Sequence, residues 1–263
     1  MSSPFSAPVP TVRLFGSAGL LSALPNLLGF HPSDALVIAC LSARGTIAPV
    51  MRVDLSTFTP HVAAHLAAQA ATFADRAAVV TYSQNPERDE VAQVMAVHLF
   101  GAGVDIVDTL RVSNDPATPD PQLQGWDALH GRRVLDSRAE VEASAQYDPT
   151  DQVTPEVAAL IAQAETGAHP HEMVAAILAD PAPTSRCVPE VLAAVRQLPD
   201  DSAATAVLCT VLSVLAYIAG DGALANVAIV RALAARPGYD PARTIDTLMS
   251  EGQPPAVIRA AYR

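Results

Sequence analysis

A chain of 263 residues, half of them apolar but only 5% aromatic, can bury one large core or two smaller ones built mainly from Ala, Val and Leu. All 16 basic residues are arginine, which excludes a Schiff-base lysine, a Walker A lysine and a kinase-type strand lysine together with the chemistries that need them. The net charge of −11 comes without a long basic run, and the densest cluster is Arg132, Arg133 and Arg138, so the basic face that direct nucleic-acid binding uses is not expected.

In chain order, Thr11–Phe15 reads as a first strand. Ser17–Leu28 reads as a helix with Ser17 as N-cap and a last turn weakened by Pro25. Ala35–Leu41 and Thr46–Leu55 read as consecutive strands joined at Ser42–Gly45 in a hairpin. An Ala-rich helix starts at Thr59 or Pro60 and runs to Phe73. Ala77–Tyr82 is a strand, Pro86–Leu99 a helix stopped by Gly101 and Gly103, and Val104–Val112 another strand. This β-α-β-α-β succession predicts an α/β layer with a mixed, partly parallel sheet that includes the hairpin.

Ser113–Gly125, with three prolines and no apolar rhythm, reads as a loop, and Ser137 caps a helix beginning near Arg138. From Thr154 onward the period is helical throughout. The expected helices are 154–166, 170–179, 188–198, 202–219, 222–235, 241–250 and 254–262, broken at Gly167, Pro181, Pro199, Gly220, Pro237 and Gly252. The reading is therefore an α/β domain over 1–150 followed by an all-α domain over 151–263. Ser202–Gly220 is uncharged and about long enough to span a bilayer. Asp201 and Asp221 bracket it without an arginine flank, so it reads as the central helix of a bundle and no membrane association is expected.

Two stretches carry a family resemblance. One is Ala23-Leu24-Pro25-Asn26-Leu27-Leu28-Gly29-Phe30-His31-Pro32 with the following Leu36-Val37-Ile38-Ala39 and Val50-Met51-Arg52-Val53-Asp54-Leu55; the other is the segment from Ala216 to Ala234. They resemble a family of actinobacteria and their phages known as domain of unknown function 4192. The resemblance implies a fold and a lineage, and brings no established activity. It also implies a longer tryptophan-containing insertion, often with cysteines, around Trp126; this chain is shorter there and has no cysteine in that region.

Candidate chemistry is sparse. Cys40, Cys187 and Cys209 stand far apart, with no CxxC pair, and read as free thiols of a reducing, cytoplasmic chain. The first ten residues, MSSPFSAPVP, lack the charged and apolar regions of a signal peptide. His61 and His65 have a metal-ligand spacing, but Val62 stands where a zinc protease has glutamate and no third ligand is near, so they read as a solvent-facing pair. His169 and His171 read as part of a helix start. There is no GxSxG elbow, and Gly16, Gly19 and Gly29 lack phosphate-loop spacing. Neither a metal nor a cofactor is expected.

His31, between Phe30 and Pro32 at a helix-to-strand turn, has two readings: a base or carboxylate-orienting group, or a ring that caps the helix end at Gly29. Arg52 and Asp54 share a strand face and form either a surface ion pair or the wall of an anion pocket. The segment 216–239 has the cadence of a tetratricopeptide-type hairpin, with a single tightly packed hairpin in a bundle as the alternative. Asp221 caps its second helix, since the oxygen-ligand spacing of an EF-hand is absent. The leading expectation is a non-enzymatic interaction or regulatory protein. Its helical half, through Tyr217, Asp221, Asn226 and Arg231, meets a protein partner or a second copy of the chain. The rivals are a small-ligand-binding protein or hydrolase with a pocket at His31, Arg52 and Asp54, and a structural component of a phage or host assembly.

Overall fold

The apolar runs after residue 35 pair into a sheet whose central strand is buried along nearly its whole length. A computed structural model of the chain describes residues 16–42, 46–112, 137–150, 153–179 and 184–262. The strand expected at Thr11–Phe15, the loop at 113–125 and Trp126 lie outside the described residues. By internal contacts the described residues fall into two compact units, one ending at Val112 and one beginning at Ser137.

The first unit is α/β, as the succession of elements predicts. Strand β1 (Ala35–Leu41) pairs antiparallel with β2 (Ile47–Asp54) on one side and with β3 (Arg76–Tyr82) on the other. β3 pairs in parallel with β4 (Asp105–Val112), giving the mixed order β2-β1-β3-β4. β1 is continuously apolar rather than alternating because both faces of the sheet are covered. On one face, Leu36, Ile38, Cys40 and Val79 meet α2 (Pro60–Phe73) and α3 (Asp89–Gly101). On the other, Val37, Ala39, Ala78 and Val80 meet Leu20 and Leu24 of α1 (Gly16–Leu28). α2 starts where expected: the Thr59 hydroxyl accepts from the Val62 amide, with Pro60 in the first turn. Its buried residues are Ala63, Ala67 and Ala70, which let the helix lie close to the sheet.

Three local expectations change. Ser17 is not the N-cap of α1, which begins one residue earlier; its hydroxyl instead donates to the Asp108 carboxylate on β4. The segment expected as one helix from Pro86 starts with a 3₁₀ turn, Pro86–Arg88, seated by the Asn85 side chain accepting from the Glu87 amide. Gly101 is the last residue of α3, and Gly103, at φ +85°, makes the turn into β4.

The second unit is all helix: α4 (Arg138–Ser144), α5 (Pro155–Glu165), α6 (Pro170–Ala179), α7 (Thr184–Arg196), α8 (Ala203–Ile218), α9 (Gly222–Ala235), α10 (Asp240–Ser250) and α11 (Pro255–Ala260). α4, which precedes the boundary expected at residue 150, packs on α9 within this unit. α7 starts four residues earlier than expected and carries Pro189 inside it, at the loss of one backbone hydrogen bond. Ser137, Thr154, Ser202 and Asp221 each accept a backbone N–H at a helix start.

α8 is the hub. Every residue from Ala204 to Ala216 is buried, and α5, α6, α7, α9, α10 and α11 all pack against it. Its uniform apolarity is that of a helix enclosed on all sides. No helix among the described residues is long and apolar enough to cross a membrane. The chain leaves α8 through Gly220, whose φ of +84° suits glycine, and Asp221 at once caps α9.

Candidate functional site

β2, β3 and β4 all run opposite to β1, so their carboxyl ends, at Asp54, Tyr82 and Val112, meet the start of β1 at one edge of the sheet. Open α/β sheets keep their ligand clefts at such an edge. The register places Arg52 beside Val37 and Val80, and Asp54 beside Ala35 and Tyr82. Arg52, Asp54 and Tyr82 therefore share the face that packs against α1, and Thr81 lies on the opposite face.

Arg52 and Asp54 form the ion pair that their spacing allows, at 2.5 Å. The arginine is no loose surface group: its side chain is only 10% exposed and its guanidinium lies 5.5 Å from the centre of the buried Phe30 ring. His31, next in sequence, is exposed and makes no hydrogen bond among the described residues. Its ring therefore does not cap the end of α1. Gly29 closes that helix instead, at φ +85°, with its amide donating to the Pro25 carbonyl at 2.7 Å.

The same edge is tied together through Asp34, the non-glycine residue at φ +43°. Its carbonyl accepts from the Leu55 amide at 2.9 Å, and its carboxylate accepts from the buried Ser83 hydroxyl at 3.2 Å. Ser83 in turn accepts from the Asn85 amide, so Asp34, through its carbonyl and its carboxylate, links the ends of β1, β2 and β3. Three buried polar atoms nearby have no hydrogen-bond partner among the described residues: Arg52 Nε, Thr81 Oγ1 and the Tyr82 hydroxyl. Burial pushes the Tyr82 phenol well above its ordinary range, so it stays protonated. The cluster has a neutralised cation, a serine bonded directly to a carboxylate and a neutral phenol, and among the described residues no histidine stands between the serine and the carboxylate. Its bonds hold the sheet edge together.

In the helical unit the four residues expected at a partner surface are each bonded internally. The Tyr217 hydroxyl donates to the Gln253 carbonyl at 2.8 Å, and Asp221 accepts from the Leu224 amide at 3.1 Å. Asn226 accepts from Arg138 at 3.1 Å. Arg231 turns inward: its guanidinium donates to the carbonyls of Ala145, Val195 (3.2 Å) and Leu198 (2.8 Å) and pairs with Asp200 at 2.8 Å. Among the described residues no three His, Cys, Asp or Glu side chains are grouped to hold a metal, and His61 and His65 lie exposed on α2. Burial pushes the Cys40 thiol up to about 11 and that of Cys209 up to about 12, which makes both poor nucleophiles.

One surface was not anticipated. On α3, Ala92, Met95 and Leu99 face the core, yet Val94, Val97 and Phe100 are also apolar and face away; Val97 is 70% and Phe100 72% exposed. The signal is in the sequence: Val94, Val97 and Phe100 stand on the side of the helix that also carries Glu90 and Gln93, where a surface helix is ordinarily polar.

The family model described as "Domain of unknown function (DUF4192)" matches residues 18–208 and 192–256. The chain belongs to this family. The DUF4192 match takes in both units, so the α/β unit and the hub-centred helical unit are both parts of what the family model describes. No curated protein and no solved structure matches the chain.

Proposed function

We propose that this DUF4192 protein works by noncovalent contact with another protein, and that the outward face of α3 makes the contact. The observation that carries the reading is the exposed run Val94, Val97 and Phe100 at three-residue spacing, opposite the residues that pack on the sheet. The interaction reading from sequence is kept, but its place moves, because Tyr217, Asp221, Asn226 and Arg231 are engaged inside the helical unit. Covering a phenylalanine and two valines contributes roughly 1.5–3 kcal/mol for each side chain fully buried, a sufficient nucleus for a specific interface. The buried thiols of Cys40 and Cys209 fit a reducing compartment.

The test is a comparison of wild type with a Val97→Asp/Phe100→Asp variant, after matching urea curves show that both fold. Each is immobilised and exposed to lysate of the source cells, and each is also sedimented over a concentration series. A protein retained by wild type and lost from the charged variant supports the reading, and self-association lost in the same way identifies the partner as a second copy. Identical behaviour of the two proteins in both measurements refutes it.

A further inference from the structure

We infer that a cavity in the helical unit binds a small zwitterion of the amino-acid type. The cavity has a volume of about 380 Å³, within the size range of small-molecule sites. One wall is the end of α5 and the turn after it, with Glu165 and His169; the floor is the start of α8, with Ala204 and Val207; the far wall is the α9–α10 connection, with Arg236 and Tyr239.

The charges on these walls define the ligand. Three arginines of this unit are neutralised by carboxylates, Arg138 by Glu142, Arg196 by Asp148 and Arg231 by Asp200, while Arg243 and Arg259, outside the cavity lining, form no ion pair among the described residues. Arg236 is not neutralised either; its guanidinium rests 5.2 Å from the centre of the Tyr239 ring, a contact that orients it without cancelling its charge. Glu165 shares the cavity, and neither it nor Arg236 forms an ion pair among the described residues. Two opposite charges thus line one space without meeting. A simple anion is drawn to Arg236 and repelled by Glu165, and a simple cation meets the reverse. A molecule with a carboxylate and an ammonium satisfies both walls at once.

The remaining lining agrees. Ala204 and Val207 are buried and offer an apolar floor of modest size, suited to a short aliphatic or aromatic side chain. His169 accepts the His171 amide at Nδ1, 3.2 Å, which leaves Nε2 carrying the hydrogen as a donor at the rim. The Tyr239 phenol, raised by burial above its ordinary value, is a neutral donor on the Arg236 side.

Titration calorimetry with L-alanine, L-leucine and L-phenylalanine, and with sodium acetate and propylamine as single-charge controls, tests this on the full chain. At least one amino acid binds at millimolar concentration or below, and neither control binds at the same concentration. Arg236→Gln and Glu165→Gln each weaken that binding about tenfold or more and leave the urea midpoint unchanged, since both side chains are exposed. The inference is overturned if none of the three amino acids binds, if acetate or propylamine binds as well as they do, or if either variant binds like wild type. These variants are remote from Val97 and Phe100 in sequence and lie in the other unit, so failure here leaves the contact reading of α3 standing.

Discussion

Replacing Arg231 with methionine removes a guanidinium that three backbone carbonyls depend on. The side chain of Arg231 is 11% exposed, and the carbonyls it serves belong to Ala145, Val195 and Leu198, all buried residues. Methionine keeps the apolar stem and deletes the donors. Hydrogen bonds to a charged group are worth ~1.5–3 kcal/mol each, but the carbonyls partly recover by shifting toward water, so a loss of ~3–5 kcal/mol is expected, as when one partner of a buried ionic cluster is removed. That is a large share of the ~5–15 kcal/mol typical of a whole domain. The partner carboxylate behaves differently: Asp200 is 77% exposed, so Asp200→Asn costs about 1 kcal/mol or less. Arg231→Lys recovers only part of the loss, because one ammonium cannot span three carbonyls. Urea unfolding of the full chain followed by circular dichroism gives the midpoints. The reasoning is refuted if Arg231→Met loses less than Asp200→Asn, which would make the exposed ion pair, and not the carbonyl clasp, the source of stability.

Three further outcomes follow from the same geometry. Tyr82→Phe removes a buried hydroxyl that has no partner among the described residues, so its urea midpoint stays level or rises; a loss above about 2 kcal/mol would mean that the hydroxyl is hydrogen-bonded after all. Among the cysteines, Cys187 is the partly exposed one, so a disulfide-exchange reagent at neutral pH titrates one thiol in the native protein and three in urea; rapid reaction of Cys209 would contradict its burial. The Asp148 carboxyl is held below its ordinary 3.8, first by the Thr150 hydroxyl and amide and then by Arg196. A lowered folded value stabilises above 3.8 and is lost as pH falls through it; Asp148→Asn is therefore less stable than wild type at neutral pH, and the difference closes in acid. A gap that persists at the lowest pH would assign the effect to packing.

The α/β part of the fold was legible because its signals are local. Thr59 with Pro60 starts α2 where it should, and the period-two rule puts Arg52 and Asp54 on one face. The same rules failed at Ser17, which looks like a cap and is spent on Asp108 across the sheet. At His31 they allowed a capping ring beside a second reading, and it is Gly29 that closes the helix. In each case the deciding partner lies elsewhere in the fold or in the backbone's own geometry.

The candidate sites divide along the same line. Asp221 was read correctly as a cap because its partner, Leu224, is three residues away. Arg231 was read as surface because its partners are residues 145, 195, 198 and 200, brought together only when α4, α7 and α9 pack. The apolar residues of α3 were readable on both sides of the helix, but which of them are exposed depends on where the sheet lies. By itself the sequence determined the order of the described elements, the helix starts capped at Thr59, Ser137 and Asp221 and the lysine-dependent chemistries it excludes, because composition, period and caps act within a few residues. Tertiary structure alone decided which charges are spent inside, which apolar face is left outside and that Glu165 and Arg236 share one cavity, because those depend on residues that only packing brings within reach.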